Sequence, residues 1–99
     1  LSYWEVLTAA DAKELLRGGH ELPSDLPGHA QEFETAFALA AFPENVRTNM
    51  WADQADQKPS MAKAAQGEEF IKRIVERVTA YLQEMIDGKR VAQVPPYFP

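Results

Sequence analysis

Hydrophobic and polar positions alternate in three different ways along the chain, and each way predicts a different element. Tyr3-Trp4-Glu5-Val6-Leu7 groups aromatic and β-branched residues around a single acid, which predicts a short strand. Thr8 then caps a helix from Ala9 to Leu16, rich in Ala, Lys, Glu and Leu, and Gly18-Gly19 stops it. His20 to Gly28 holds Pro23, Pro27 and Gly28 between acids and reads as a loop, with His20 as an exposed residue at the end of the preceding helix. From Ala30 to Ala41 the chain forms helix again, and Ala36-Phe37-Ala38-Leu39-Ala40-Ala41-Phe42 is apolar on every side, which predicts burial on most of its surface until Pro43 ends it.

The stretch from Glu44 to Gly67 is a long polar connection with a turn of helix around Met61 to Ala65, and such connections are functional or disordered. Met50 and Trp51 within it read either as an anchor for the loop or as interface residues, and Asp53, Asp56, Glu68 and Glu69 as a solvated face. Ile71, Ile74, Val75, Val78, Leu82, Met85 and Ile86 then recur at helical steps and predict an amphipathic helix from Glu68 to Ile86, closed by Gly88. The tail from Val91 to Pro99, with Pro95-Pro96, Tyr97, Phe98 and Pro99, cannot be helical and is expected to dock in extended form. One strand and three helices make a poor independent domain, because a lone strand has no sheet in which to satisfy its backbone groups. The expectation is an α/β fold in which residues 1–88 complete a sheet supplied by another chain or segment, followed by a Pro-rich tail at 89–99.

Charge and composition narrow the function classes. Among 99 residues, 45% are hydrophobic and 25% charged, the proportions of a globular chain. A formal charge of −5 lacks the basic patch that neutralises phosphates, so nucleic acid is not an expected partner. No apolar run approaches the roughly 20 residues that span a bilayer, and the first residues lack the basic region of a signal peptide, so a soluble cytoplasmic protein is expected. The absence of cysteine leaves His, Asp and Glu as metal ligands, with His20 and His29 the only imidazoles.

Candidate chemistry gathers in Gly28-His29-Ala30-Gln31-Glu32-Phe33-Glu34-Thr35, which sets an imidazole and two carboxylates at the mouth of a helix. Helix N-termini that follow a loop favour anions, and in open α/β folds they border the ligand crevice. On spacing alone two readings stand. His29 and the acids form a site, or His29 caps the helix while Glu32 and Glu34 complement its dipole.

The segment from Gly28 to Ala40, followed by Pro43 and Val46-Arg47, resembles the HAGxxETSxMLAL-x-P signature of the creatininase family. Tyr3-Trp4-Glu5-Val6 is similar to the YWEV-like strand upstream of that signature, and Lys58-Pro59-Ser60-Met61-Ala62 with Gly67-Glu68 to its downstream P-S-x-A and G-E. The resemblance covers the chain up to about Gly88. It implies a compact α/β layer fold and metal-dependent hydrolysis of a C–N amide bond, often cyclic. The metal implied is Zn, Mn or Fe, with most ligands in the N-terminal half of the family's chain. His29 matches the signature histidine that transfers a proton on ring opening. Glu34 matches the signature glutamate, as a metal ligand or as a carboxylate just outside the ligand shell. Trp4 matches a pocket-facing aromatic, although aromatics in short strands are more often core. Gln31 stands where the family has glycine and Ala36 where it has serine; an amide beside His29 reshapes the substrate site, which favours a substrate other than creatinine.

Ligand arithmetic adds a partner. A hydrolytic metal takes about three protein ligands and keeps one position open for water, and a chain with two histidines, one assigned to proton transfer, falls short. The expectation is therefore a second chain carrying the N-terminal half, from cleavage of a precursor or from split genes, with the start at Leu1 fitting a processed product. The resemblance also implies ring-like homo-oligomers of such pairs. The competing reading is a non-catalytic interaction module that docks through its amphipathic last helix and its Pro and aromatic tail.

Overall fold

A computed structural model of the chain describes residues 1–18 and 26–91. Within them lie three α-helices, α1 (Ala9–Leu15), α2 (Glu32–Ala41) and α3 (Ala64–Ile86), with a 3-10 turn at Tyr3–Val6 before α1 and others at Pro43–Asn45, Thr48–Asp53 and Pro59–Met61 between α2 and α3. No strand occurs among the described residues, so the expected α/β architecture is overturned: the described chain is all-helical and presents no strand to complete a sheet.

The correction has a local cause at Tyr3–Val6. The Glu5 N–H donates to Ser2 O at 3.0 Å, the Leu7 N–H to Trp4 O at 3.0 Å, and the Glu5 carboxylate accepts from the Ser2 N–H. Backbone groups that a strand would leave open are thus satisfied within the turn. Its aromatic residues find their partners on α2 instead of on a neighbouring strand. The Tyr3 ring lies 6.5 Å from Phe33 and 5.7 Å from Phe37, and Trp4 meets Tyr3 edge-on at 5.0 Å.

Helix boundaries follow their caps. Thr8 and Asp11 form a capping box, the Asp11 N–H donating to Thr8 Oγ1 at 3.2 Å and the Thr8 N–H to Asp11 Oδ2 at 2.6 Å. Helix α2 starts at Glu32, two residues later than the sequence suggests, because Ala30 has φ 51° and cannot sit in a right-handed helix. Helix α3 starts earlier, at Ala64, since Gln66 Oε1 accepts the Lys63 N–H at 2.7 Å; the turn of helix expected around Met61 is the 3-10 turn at Pro59–Met61. At the far end Gly88, at φ 72°, lets the Lys89 N–H reach Glu84 O at 2.8 Å.

Leu7, Ala12, Leu16, Leu26, Phe33, Phe70 and Ile74 form the core, with Trp4, Val6, Leu15, Phe37 and Val78 packed against it. Phe33 and Phe70 meet edge to face at 4.8 Å where α2 crosses α3. Gly67 makes that crossing possible: a Cβ there would overlap the Ala36 carbonyl and come within 2.9 Å of Ala40 Cβ. Helix α2 is less covered than its all-round apolarity predicts, with Phe37, Leu39 and Ala40 half-buried and Phe42 exposed.

Helix α1 is held to α3 by charge. Asp11, almost fully buried, accepts from Arg73 at 2.8 Å and Arg77 at 2.6 Å, and Arg73 also pairs with Glu14 at 2.8 Å and Glu69 at 2.9 Å. Arg77 further donates to the Val6 carbonyl at 3.0 Å, which ties the N-terminal turn to the same fork. The Arg77 guanidinium, opposed by burial and helped by Thr8 and Arg73, holds the Asp11 carboxyl well below the usual carboxylate range.

Candidate functional site

The turn before α2 is built from Gly28, His29 and Ala30. Gly28 is buried with φ 55°, and Ala30 follows at φ 51°, so two left-handed residues bracket His29 and leave it exposed. Gly28 takes that conformation freely, whereas Ala30 needs support from its surroundings. The support comes from the first turn of α2, where Glu34 Oε2 accepts the Ala30 N–H at 2.6 Å. That is the short distance of a charge-assisted bond.

Glu34 is half-buried and lies close enough to Tyr3 that its negative charge, added to the larger effect of burial, raises the Tyr3 hydroxyl above its ordinary value. Gln31, half-buried at the N-cap of α2, reaches Asp56 Oδ2 with Nε2 at 3.5 Å, while Asp56 Oδ1 accepts the Lys58 N–H at 2.9 Å. The polar connection thereby comes back to the loop that carries His29, and Asp56, exposed as a solvated face requires, is the residue that reaches it.

Glu32 has a different place. It is 2% exposed, and its carboxylate accepts from the Arg17 N–H at 2.6 Å, the Gly18 N–H at 3.1 Å and Gln66 Nε2 at 2.8 Å. Gln66 Nε2 also donates to Leu15 O at 2.7 Å. Glu32 thus closes the far end of α1 against α2 and α3, and of the two carboxylates expected at the helix mouth only Glu34 remains beside the His29 turn.

The structure accordingly gathers His29, Gln31 and Glu34 on one turn. Trp4 is half-buried and packs on the core, and Tyr3 is the aromatic of that segment that meets Glu34 electrostatically. Tyr3 and Asp56 are the residues that sequence reasoning missed. Tyr3 carried the same signal as Trp4, an aromatic in the same short segment, whereas the approach of Asp56 to Gln31 across 25 residues left no trace in the sequence. Among the described residues no three His, Asp or Glu side chains stand together as a metal site. His20 and residues 92–99 of the tail lie outside the described residues.

Comparisons with protein families, with curated proteins and with solved structures gave no match to this chain.

Proposed function

We propose that the chain is part of a cytoplasmic metal-dependent amidohydrolase of the creatininase kind, in which His29 moves a proton at the scissile C–N bond of a small amide, cyclic or open-chain. The observation that supports this most is the placement of His29: exposed, between two left-handed residues, on a turn braced by a carboxylate. An imidazole changes charge near neutral pH, so it can protonate the nitrogen that leaves as the amide opens. Gln31 lies two residues on at the N-cap with its amide turned to Asp56, and Tyr3, exposed, is the aromatic that feels the charge of Glu34.

The donors described here do not suffice for a divalent ion. Zn, Mn or Fe, which would polarise the carbonyl and activate water, is therefore assigned to a second chain carrying the N-terminal half of the enzyme, in a homo-oligomer of such pairs. No helix among the described residues is long and apolar enough to cross a membrane.

The test is to purify the native assembly, measure bound metal, and incubate it with creatinine, hydantoin and a γ-lactam while following ring opening by mass spectrometry. Stoichiometric metal with hydrolysis of one ring supports the reading; an assembly that holds no metal, or that opens none of the rings, sinks it. The second reading, an interaction module, draws on Val75, Leu82 and Ile86, which lie on one side of α3 and remain 52–78% exposed. It requires metal-free, inactive material.

A further inference from the structure

We infer that Glu34 is a positioning residue for His29, acting through the peptide bond between His29 and Ala30 and not as a metal ligand. The inference rests on the proposed role of His29, and it decides between the two roles that the resemblance leaves open for this carboxylate.

The argument begins with the peptide plane. The N–H that Glu34 accepts belongs to Ala30, but its plane is shared with the carbonyl of His29. Holding that N–H holds the plane, and with it the His29 carbonyl and Cα, the point from which the His29 side chain leaves the chain. In an ordinary capping box the third residue of the helix reaches back to the N-cap N–H. Glu34 is the third residue of α2 and Gln31 its N-cap, yet the carboxylate passes over Gln31 to the residue before it. That residue is the one non-glycine with positive φ among the described residues. An alanine in the left-handed region is unfavourable unless its surroundings hold it there, and a 2.6 Å bond to a carboxylate is such a hold.

The other acid in the same turn cannot substitute, because both oxygens of Glu32 are committed to the end of α1. The charge of Glu34 is also felt at Tyr3, where burial is the larger cause of the raised hydroxyl. Oε2 is spent on the backbone. A group with this commitment orients its neighbour, and its removal should affect the rate through His29 while leaving bound metal in place.

Four variants of the full native assembly test this: Glu34→Ala, Glu34→Gln, Ala30→Gly, and Glu34→Ala combined with Ala30→Gly. Three quantities are measured: bound metal, exchange protection of the residue-30 amide, and kcat and KM for whichever of creatinine, hydantoin or the γ-lactam the wild type opens. Glu34→Ala should keep its metal, speed exchange of the Ala30 amide by about tenfold or more, and lower kcat by a similar factor with KM little changed. Glu34→Gln, which keeps an acceptor oxygen, should recover most of both effects. Ala30→Gly should restore kcat in the Glu34→Ala background, since glycine adopts the left-handed turn without help. Loss of a metal equivalent in Glu34→Ala, or failure of Ala30→Gly to rescue, overturns the inference. If the wild type opens none of the three rings, the functional reading falls by itself, while metal content and amide exchange still decide the role of Glu34.

Discussion

Glu32 and Glu34 stand two residues apart in the first turn of α2, and the structure gives them opposite surroundings. A sequence shows two acids where a helix dipole welcomes them, and nothing in their order tells which one turns inward. Glu32 finds its partners at Arg17 and Gly18, 15 and 14 residues away along the chain, so its burial was not legible. The placement of His29 was legible, because Pro27 and Gly28 before it and helix formers after it mark a loop meeting a helix. The left-handed Ala30 was not, since alanine carries no signal for positive φ. Two outcomes follow at this scale. Glu32→Ala leaves the N–H groups of Arg17 and Gly18, just past α1, and Gln66 without this acceptor and should cost about 1–3 kcal/mol of folding stability, read from chemical denaturation. His29→Ala, at an exposed position, should leave the melting temperature and metal content nearly unchanged while lowering turnover about 10²–10⁴-fold; if it unfolds the protein without a separate effect on rate, the role of His29 is to hold the loop.

At the scale of elements, the amphipathic repeat of α3 and the Thr8 cap of α1 were readable, since both depend on residues within a few positions of each other. The segment Tyr3–Val6 was misread because β-propensity reports how well a side chain fits a half-buried surface, and here helix α2 supplies that surface. Gly67 shows the same limit from the other side. In isolation a glycine inside a helix looks like a defect, and replacing it with alanine should improve helix propensity by about 1 kcal/mol. In the folded chain the added methyl would collide with the Ala36 carbonyl and with Ala40. Neither is the end of a flexible side chain, so α2 and α3 must separate. Gly67→Ala is therefore expected to be destabilising by about 1–3 kcal/mol overall, seen as a lower melting temperature; an unchanged or higher one would mean that the crossing is looser than described.

At the scale of the whole molecule the chain is extended. Its radius of gyration is 15.2 Å, against about 13 Å for a compact domain of 100 residues, because α3 runs on past the helices that cover its first half and leaves Leu82 and Ile86 exposed. Taken alone, the chain is expected to bind no stoichiometric Zn or Mn in equilibrium dialysis, whereas the native assembly should retain it through gel filtration. The arginine fork beneath α1 has a further consequence, which concerns the order in which the molecule comes apart. Asp11 is depressed by Arg77 and Arg73, and Glu14 is lowered chiefly by its bond to Arg73. A carboxylate depressed in the folded state contributes its full stabilisation above its unfolded value, near pH 4, and loses it progressively as pH falls toward the folded one. Acid therefore acts first on the grip of α3 on residues 1–18, whereas the Phe33–Phe70 ring contact between α2 and α3 is itself apolar. Hydrogen exchange followed from pH 6 down to pH 2.5 should show the amides of α1 losing protection before those of α2 and α3, and added salt should move that loss to higher pH. The N-terminal segment is then held twice over, by Leu7, Ala12 and Leu16 in the core and by a clip whose strength falls with pH.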